Sequence, residues 1–190
     1  MPPENQKVNL PWWTWIAPFF LILLAKIISV RFFYFDGFFY LYGSYVVALP
    51  LYFMWGARVF YGNVLAESIT SNLTGLNSAD MYIVHGLANA AKPFIGYSSY
   101  KLLSRAKILP KAYQGAWIII FAILIPALLI NPILIGLRVG AGDFNLSAIL
   151  PRTMKQVLRD LIWGVTLSYP FMVKYTPFLK LKNISRWPAD

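Results

Sequence analysis

The sequence of 190 residues has no cysteine, a single histidine and few charges, with only 13% Asp, Glu, Lys or Arg. Without cysteine there are no disulfides and no thiolate chemistry, and one histidine does not suffice for a conventional zinc or haem site. We therefore predict no metal and no cofactor. A chain with so few charged residues also has too little polar surface to cover a globule of this size in water.

Apolar residues are abundant instead: 58% of the chain is hydrophobic and the mean hydropathy is +0.57. These values predict an integral membrane protein whose first partner is the lipid bilayer. The net charge is +10, but the Lys and Arg residues lie between and after apolar runs and do not alternate with aromatics. We read them as determinants of topology and expect no nucleic acid partner.

A bilayer core of about 30 Å needs about 20 apolar residues per helix. On that basis the sequence predicts an all-α fold, a polytopic membrane helix bundle of about six transmembrane helices. The predicted spans are 13–33, 38–55, 57–74, 81–103, 114–137 and 153–174. Since "YFMWGARVFYG" joins the second and third spans almost without a loop, a re-entrant pair is an alternative to two crossings there.

The distribution of basic residues predicts that both termini are cytoplasmic, because Lys and Arg concentrate on the cytoplasmic side of membrane proteins. Residues 1–12 then form a cytoplasmic N-terminal segment, 13–174 a transmembrane domain and 175–190 a cytoplasmic juxtamembrane tail. The inside basic residues are Lys7, Arg58, Lys101, Arg105, Lys107, Lys111, Lys174, Lys180, Lys182 and Arg186. The outside ones are Arg31, Arg138, Arg152 and Lys155.

Ionisable residues inside the predicted spans are the candidates for a functional site, because such groups are costly in lipid and normally face the bundle interior. Helical spacing groups them with polar neighbours into stripes on the third, fourth and sixth helices, which predict one shared, water-accessible cavity. The candidate ligand-binding residues are Lys26, Glu67, His85, Asn89, Lys92, Arg159, Asp160 and Trp163.

The pairing of these charges can also be predicted. Adjacent residues project about 100° apart on a helix, so Arg159 and Asp160 are not expected to pair with each other. Glu67 is the expected partner of Arg159, and Lys92 or Lys26 that of Asp160. With more cations than carboxylates, a small anionic ligand is favoured. The alternatives are a purely structural ion-pair network and, for Lys26, snorkelling towards an interface.

Three stretches carry a family resemblance. They are "FFYLYGSYVVALPLYFMWGARVFYGNVLAESITSNLTG", "GLANAAKPFIGYSSYKLLSR" and "LRDLIWGVTLSYPFMVKY". Together they resemble MASE1, the membrane-associated sensor domain at the N-termini of bacterial histidine kinases and of diguanylate cyclases or phosphodiesterases. The resemblance implies a sensory role, homodimeric signalling and the bacterial inner membrane. The family's usual domain is longer, and its cytoplasmic output domain has no counterpart here.

Three hypotheses follow. The first is a sensory input domain that binds a small molecule or senses a membrane signal and relays it through its last helix to a cytoplasmic output, in two-component or cyclic-di-GMP signalling. The second is a substrate-binding subunit of a vitamin-type transporter, and the third is an assembly partner without a ligand. An enzyme would need a nucleophile with a base, a pair of carboxylates without basic neighbours, or a set of metal ligands. The sequence shows none of these signatures, so we do not predict an enzyme.

Overall fold

The computed structural model of the protein describes residues 9–35, 38–74, 79–106, 113–139 and 146–181. These residues are almost entirely helical, which confirms the predicted all-α class. After a short 3-10 turn at Trp12–Trp15, the α-helices are α1 Ala17–Phe33, α2 Gly43–Trp55, α3 Val59–Ile69, α4 Ala79–Arg105, α5 Gln114–Trp117, α6 Ile125–Val139, α7 Leu146–Trp163 and α8 Tyr169–Leu181.

Two wide helical turns of the π type join four of these helices into two long segments. Ile118–Leu124 connects α5 to α6, and Gly164–Ser168 connects α7 to α8. The chain therefore forms a fifth helical segment over residues 114–139 and a sixth over 146–181. Turns of this kind are rare and are found disproportionately at functional sites.

The helical segments follow the predicted spans, with the main differences at the start of the second span and at both ends of the sixth, where α8 continues to Leu181 beyond the predicted end at residue 174. The second span was predicted to begin at residue 38, but α2 begins at Gly43, because Tyr34–Phe35 (β1) and Phe38–Phe39 (β2) form a small antiparallel ladder before it. The sixth was predicted to begin at residue 153, but α7 begins at Leu146 and includes Pro151 in its second turn.

A sharp turn separates α2 from α3. Gly56 has a φ of 69°, in the left-handed region where a side chain is strained, and a 3-10 turn over Gly56–Arg58 leads into α3. With 13 and 11 residues, α2 and α3 extend about 20 Å and about 16 Å. Each is shorter than a bilayer core of about 30 Å.

The distribution of apolar and charged side chains is inverted relative to a water-soluble protein. Large apolar side chains are exposed on every helical segment except α2, with Leu102 at 69% and Phe20 at 59%. Lys26 and Lys92 are 0% exposed. Within the described ranges, one helix, Gln114–Gly136, is long and apolar enough to cross a membrane by its length and composition.

Two aromatic-rich clusters form the apolar core. One surrounds Leu49, Phe53 and Ile123, and the other surrounds Ile22, Tyr52 and Trp55. The backbone of α4 approaches the first wide turn closely at Gly96, because an added Cβ there would collide with the backbone of Ala122. This close approach brings the middle of α4 next to the fifth helical segment.

Candidate functional site

One buried charge network links five of the six helical segments and the residue that precedes α2. Its acids and bases come from α1, α3, α4 and α7, and an asparagine comes from α6. Tyr42, immediately before α2, completes it. We use the name "charge network" for Lys26, Tyr42, Glu67, Lys92, Asn131, Arg159 and Asp160.

The first half of the charge network is a triangle between α1, α3 and Tyr42. Lys26 Nζ lies 3.0 Å from Glu67 Oε2 and donates to Tyr42 Oη at 3.1 Å. Tyr42 in turn donates its hydroxyl proton to the same Glu67 oxygen at 2.8 Å. Glu67 is 2% exposed, so both of its donors act where water does not screen them.

The second half is centred on the carboxylate of Asp160. Oδ2 accepts hydrogen bonds from Lys92 Nζ at 2.7 Å and from Asn131 Nδ2 at 3.0 Å. Oδ1 accepts from Arg159 Nε at 2.9 Å and from Arg159 Nη2 at 2.6 Å. Lys92 also donates to Asn131 Oδ1 at 3.2 Å, so these three residues close a ring across α4, α6 and α7.

The ring of Tyr42 connects the two halves. Its centroid lies 4.2 Å from Lys26 Nζ, 5.1 Å from Lys92 Nζ and 5.0 Å from the guanidinium carbon of Arg159. All three distances are within the range of cation–π attraction. Lys92 Nζ also lies 4.4 Å from the ring centroid of Tyr45, which covers the deeper half from α2.

His85 and Asn89 form a polar satellite beside Glu67. His85 Nδ1 lies 2.9 Å from the hydroxyl of Ser71, and that hydroxyl donates to the backbone carbonyl of Glu67 at 2.6 Å. Asn89 lies one turn after His85 and donates to its backbone carbonyl at 3.0 Å, while the same amide nitrogen lies 3.0 Å from His85 Nδ1. The predicted polar face of α4 is thus turned inward.

Two of the predicted pairings need correction. Arg159 and Asp160 do pair, although they are adjacent on one helix, because the arginine side chain is long enough to reach the carboxylate of its neighbour. Glu67 was expected to face Arg159, and its ion pair in the structure is with Lys26. Lys26 is therefore a buried partner of a carboxylate and does not snorkel. The expected pair between Lys92 and Asp160 is confirmed.

The predicted site residues pack against one another and are buried, whereas residues lining a water-accessible cavity would be exposed to water. His85, Lys92, Glu67 and Asp160 are buried, and the most exposed member of the charge network is Arg159, at 7%.

Trp163 lies at the edge of this site. Its indole Nε1 donates to the backbone carbonyl of Tyr40 at 2.7 Å, which ties α7 to the chain that follows β2. Phe38 of β2 lies over the guanidinium of Arg159, with 5.6 Å between ring centroid and Cζ. Phe38 and Tyr42, in the aromatic stretch 38–42, therefore both lie close to the guanidinium of Arg159.

The sequence-based predictions missed Tyr42, Tyr45 and Asn131. Asn131 could have been found, because it is a lone amide in the apolar run "LLINPILIG". The tyrosines lie in an aromatic-rich stretch that is typical of a membrane interface, where nothing in the sequence distinguishes the two that point inward.

The charged groups of the charge network are held in ion pairs with one another. Each carboxylate accepts from at least one ammonium group, so neither is poised as a free acid or base. Among the residues that the structure describes, no three His, Asp or Glu side chains cluster as metal ligands. No family profile, no curated protein and no solved structure matches the chain.

Proposed function

We propose that the protein is an integral membrane sensory domain that detects a small molecule or a membrane signal and passes it on through its last helix. The observation that carries this proposal is the charge network itself. Because five helical segments and the N-cap residue of α2 contribute to it, a change in any contact of the network acts on several segments at once. Asp160, which accepts hydrogen bonds from three members of the network, lies on the sixth segment.

The inverted distribution of side chains supports a membrane location. A belt of exposed leucine, isoleucine and phenylalanine favours lipid over water, while the charges inside are satisfied by each other as intramembrane charges must be. Within this proposal the helical segments cross a bacterial inner membrane about six times, with both termini cytoplasmic. The likeness to MASE1 supports the same reading and implies a homodimer.

The route from the charge network to the last helix consists of packed groups. Tyr45 contacts Lys92 through its ring and donates its hydroxyl to the carbonyl of Ala122, in the first wide turn, at 3.3 Å. Ser168, in the second wide turn, donates to the carbonyl of Val46 at 3.0 Å. α2 therefore touches the charge network and both wide turns, and α8 follows the second of them.

A signal on this route is a shift between two helix arrangements. A ligand or membrane state changes their populations only as far as it interacts better with one of them. A difference of a few kcal/mol is enough to reverse the populations.

Distance measurements between spin labels test the proposal. The chain has no cysteine, so cysteines introduced at the exposed Leu102 of α4 and Phe178 of α8 are the sole labelling sites. We expect Asp160→Asn or Asn131→Leu to change the distance distribution in double electron–electron resonance, because both disturb the centre of the network. Arg152→Gln, which removes an exposed charge from the same helix, should leave it unchanged.

A purely structural network gives a different result. The network variants would then lose stability while every folded sample kept the parent distance distribution. That outcome would exclude the relay and favour the assembly-partner hypothesis.

A further inference from the structure

The short segment before α1 contacts the corner between α2 and α3, where an arginine lies against an exposed indole ring. We call residues 9–16 the N-terminal strap. We infer that Arg58, together with Trp12 and Trp15 of the strap, binds the phosphodiester headgroup of an anionic phospholipid. The inference rests on the proposed membrane location and goes beyond the sensory relay, because it assigns a lipid site outside the charge network.

One side of the N-terminal strap is anchored to the bundle. Leu10 is buried, and the ring of Trp13 meets that of Trp55, the last residue of α2, edge to face with 5.4 Å between centroids. Thr14 is 0% exposed, and its hydroxyl donates to the backbone carbonyl of Pro11 at 2.7 Å. These contacts fix the orientation of the strap on the protein.

The other side of the N-terminal strap carries exposed indoles. Trp12 and Trp15 are 75% and 49% exposed, and they begin and end the same 3-10 turn. Side chains at i and i+3 eclipse each other in such a turn, so the two indoles project from one side. Tryptophan prefers the boundary between hydrocarbon and water, because its ring is apolar and its N–H is polar. This side of the strap is therefore suited to the headgroup region of a bilayer.

Arg58 joins the exposed side of the strap to the anchored side. Its guanidinium carbon lies 5.1 Å from the ring centroid of Trp15, within the range of cation–π attraction. Its Nη1 donates to the hydroxyl of Thr14 at 3.0 Å and to the backbone carbonyl of Leu10 at 3.3 Å. Both acceptors are neutral, and no carboxylate of the described residues pairs with Arg58. The strap thus holds the guanidinium in place without neutralising it.

The remaining edge of this guanidinium matches a phosphodiester. A guanidinium offers parallel N–H bonds to two oxygens of one anion. Nη1 is engaged by the strap, whereas Nε and Nη2, which form the side edge of the fork, make no hydrogen bond with a described residue. Arg58 is half-buried, so its side chain is only partly covered by the protein. A headgroup phosphate has two unesterified oxygens that fit this edge.

An apolar stripe on α3 leads away from Arg58. Tyr61, Leu65 and Ile69 are spaced at i, i+4 and i+8 on one face of the helix, and each is more than half exposed. Tyr61 lies about one turn after Arg58. A lipid whose phosphate binds Arg58 can lay an acyl chain along this stripe, which a free phosphate ion does not contact. The site therefore favours a lipid over a soluble anion.

The predicted topology indicates the charge of the lipid. Arg58 is among the basic residues predicted to lie on the cytoplasmic side, where the leaflet carries anionic lipids. Leu179, close to the end of α8, packs against the same apolar cluster as Leu10 of the strap. A lipid that holds the strap in place would consequently stabilise the packing around the end of the last helix.

Lipid binding to the protein in detergent tests the inference, measured by native mass spectrometry with dioleoyl phosphatidylglycerol and, in parallel, dioleoyl phosphatidylcholine. We expect the parent to bind the anionic lipid more tightly. Arg58→Gln should raise the Kd for phosphatidylglycerol by about tenfold, because a charge-assisted bidentate contact is lost. Arg58→Lys, which keeps the charge but loses the fork, should raise it less. Arg31→Gln removes an exposed arginine from the last turn of α1 and should leave it unchanged.

The two indoles are tested in the same titration. Trp12→Leu and Trp15→Leu keep an apolar side chain but remove the ring, and both should weaken the binding of phosphatidylglycerol. Phe32→Leu is the matched control, because Phe32 is a 61% exposed aromatic residue next to Arg31. Equal effects of all three substitutions would remove the tryptophans from the site.

A second measurement needs no variant of Arg58. In nanodiscs, amide hydrogen exchange of residues 10–16 in the parent should be slower with phosphatidylglycerol than with phosphatidylcholine, since a lipid bound to Arg58 and Trp15 holds the strap. Residues 87–97 of α4 serve as the internal control and should exchange equally in both lipids. If Arg58→Gln does not fold, this comparison decides, and equal exchange of the strap in the two lipids would overturn the inference.

Two results of the titration would also overturn it. One is equal affinity of the parent for the two lipids, and the other is an equal loss of binding in Arg58→Gln and Arg31→Gln. Displacement of the bound lipid by inorganic phosphate at a comparable concentration would show that the site binds a free anion and would exclude the lipid.

The lipid site and the proposed function can fail separately. A protein that stays soluble without detergent or lipid would exclude the membrane location and the lipid site together. If variants of the charge network change the spin-label distances but phosphatidylglycerol is not preferred, the relay stands and the lipid site falls. If phosphatidylglycerol binds at Arg58 but the distances never change, the lipid site stands and the relay falls.

Discussion

Lys92 Nζ lies 2.7 Å from Oδ2 of Asp160, and the two side chains, 68 residues apart in sequence, are almost completely shielded from solvent. This contact joins α4 to α7, and so it fixes the relative position of two of the longest helices. How much stability is lost when one partner is removed depends on the partners that the other partner keeps.

Removal of the carboxylate should cost more than removal of the ammonium group. Asp160→Asn removes the carboxylate that pairs with both Lys92 and Arg159, so we expect a loss of about 3–5 kcal/mol in the free energy of unfolding. Lys92→Met leaves Asp160 paired with Arg159 and should cost less. Unfolding in detergent measures both, with Lys155→Met as an exposed control on α7. Equal losses would mean that Arg159 does not compensate Asp160.

The double variant Lys92→Met/Asp160→Asn should lose less stability than the sum of the single variants, because it removes both members of a contact and leaves fewer uncompensated charges. The same cycle repeated at high salt should give a similar coupling energy, since buried pairs are screened much less than exposed ones. If the stability losses of the single variants simply added up in the double variant, the two residues would not be energetically coupled.

The ring and the hydroxyl of Tyr42 should make separable contributions. Tyr42→Phe keeps the ring near the three cations but removes the hydroxyl between Lys26 and Glu67, and we expect it to cost about 1–2 kcal/mol. Tyr42→Leu removes the ring as well and should cost more. Thermal unfolding of the two variants against the parent measures the difference. A Tyr42→Leu variant as stable as Tyr42→Phe would assign no role to the cation–π contacts.

Gly96 is predicted to tolerate no larger residue. A Cβ at this position meets the backbone of Ala122, which cannot move aside as a flexible side chain can. Gly96→Ala should therefore destabilise the protein by about 1–3 kcal/mol, despite the better helix propensity of alanine. Thermal unfolding provides the measurement, and an increase in Tm would contradict the close contact of α4 with the first wide turn.

Trp163→Phe should loosen the aromatic stretch 38–42 while the bundle stays folded. The substitution keeps an aromatic ring but removes the donor to the Tyr40 carbonyl. We expect faster amide hydrogen exchange in residues 38–42 and parent-like exchange in α4. Unchanged exchange in the stretch would show that other contacts hold it in place.

The helices and their inward faces could be predicted from the sequence, because both depend on local quantities. Span length follows from runs of apolar residues, and the i, i+3, i+4 spacing of His85, Asn89 and Lys92 marks one face of α4 whatever that face contacts. The pairing of charges between helices depends on rotation and depth, which no spacing rule contains. The contact between Arg159 and Asp160 was missed for a related reason, since projection angle describes the Cβ direction and not the reach of an arginine.

Hydropathy also could not predict where α2 and α7 begin. "FFYLY" is apolar enough to continue a span, yet residues 38–39 pair with 34–35 and α2 begins only at Gly43. Proline usually breaks a helix because it has no N–H to donate to the carbonyl four residues earlier. Pro151 lies close to the start of α7, where few such hydrogen bonds are made, and so the helix tolerates it.

The wide turn at Gly164–Ser168 affects the rotation of α8 about its own axis. Each residue of a regular α-helix advances the chain by about 100° around the axis, and a π-type turn accommodates an extra residue without that advance. The number of residues in this turn thus sets which side of α8 faces the rest of the bundle, while Asp160 upstream keeps its own contacts. Loss of one residue there would leave the charges in place and rotate everything beyond them, so that the orientation of α8 is encoded by a count of residues as well as by their identity.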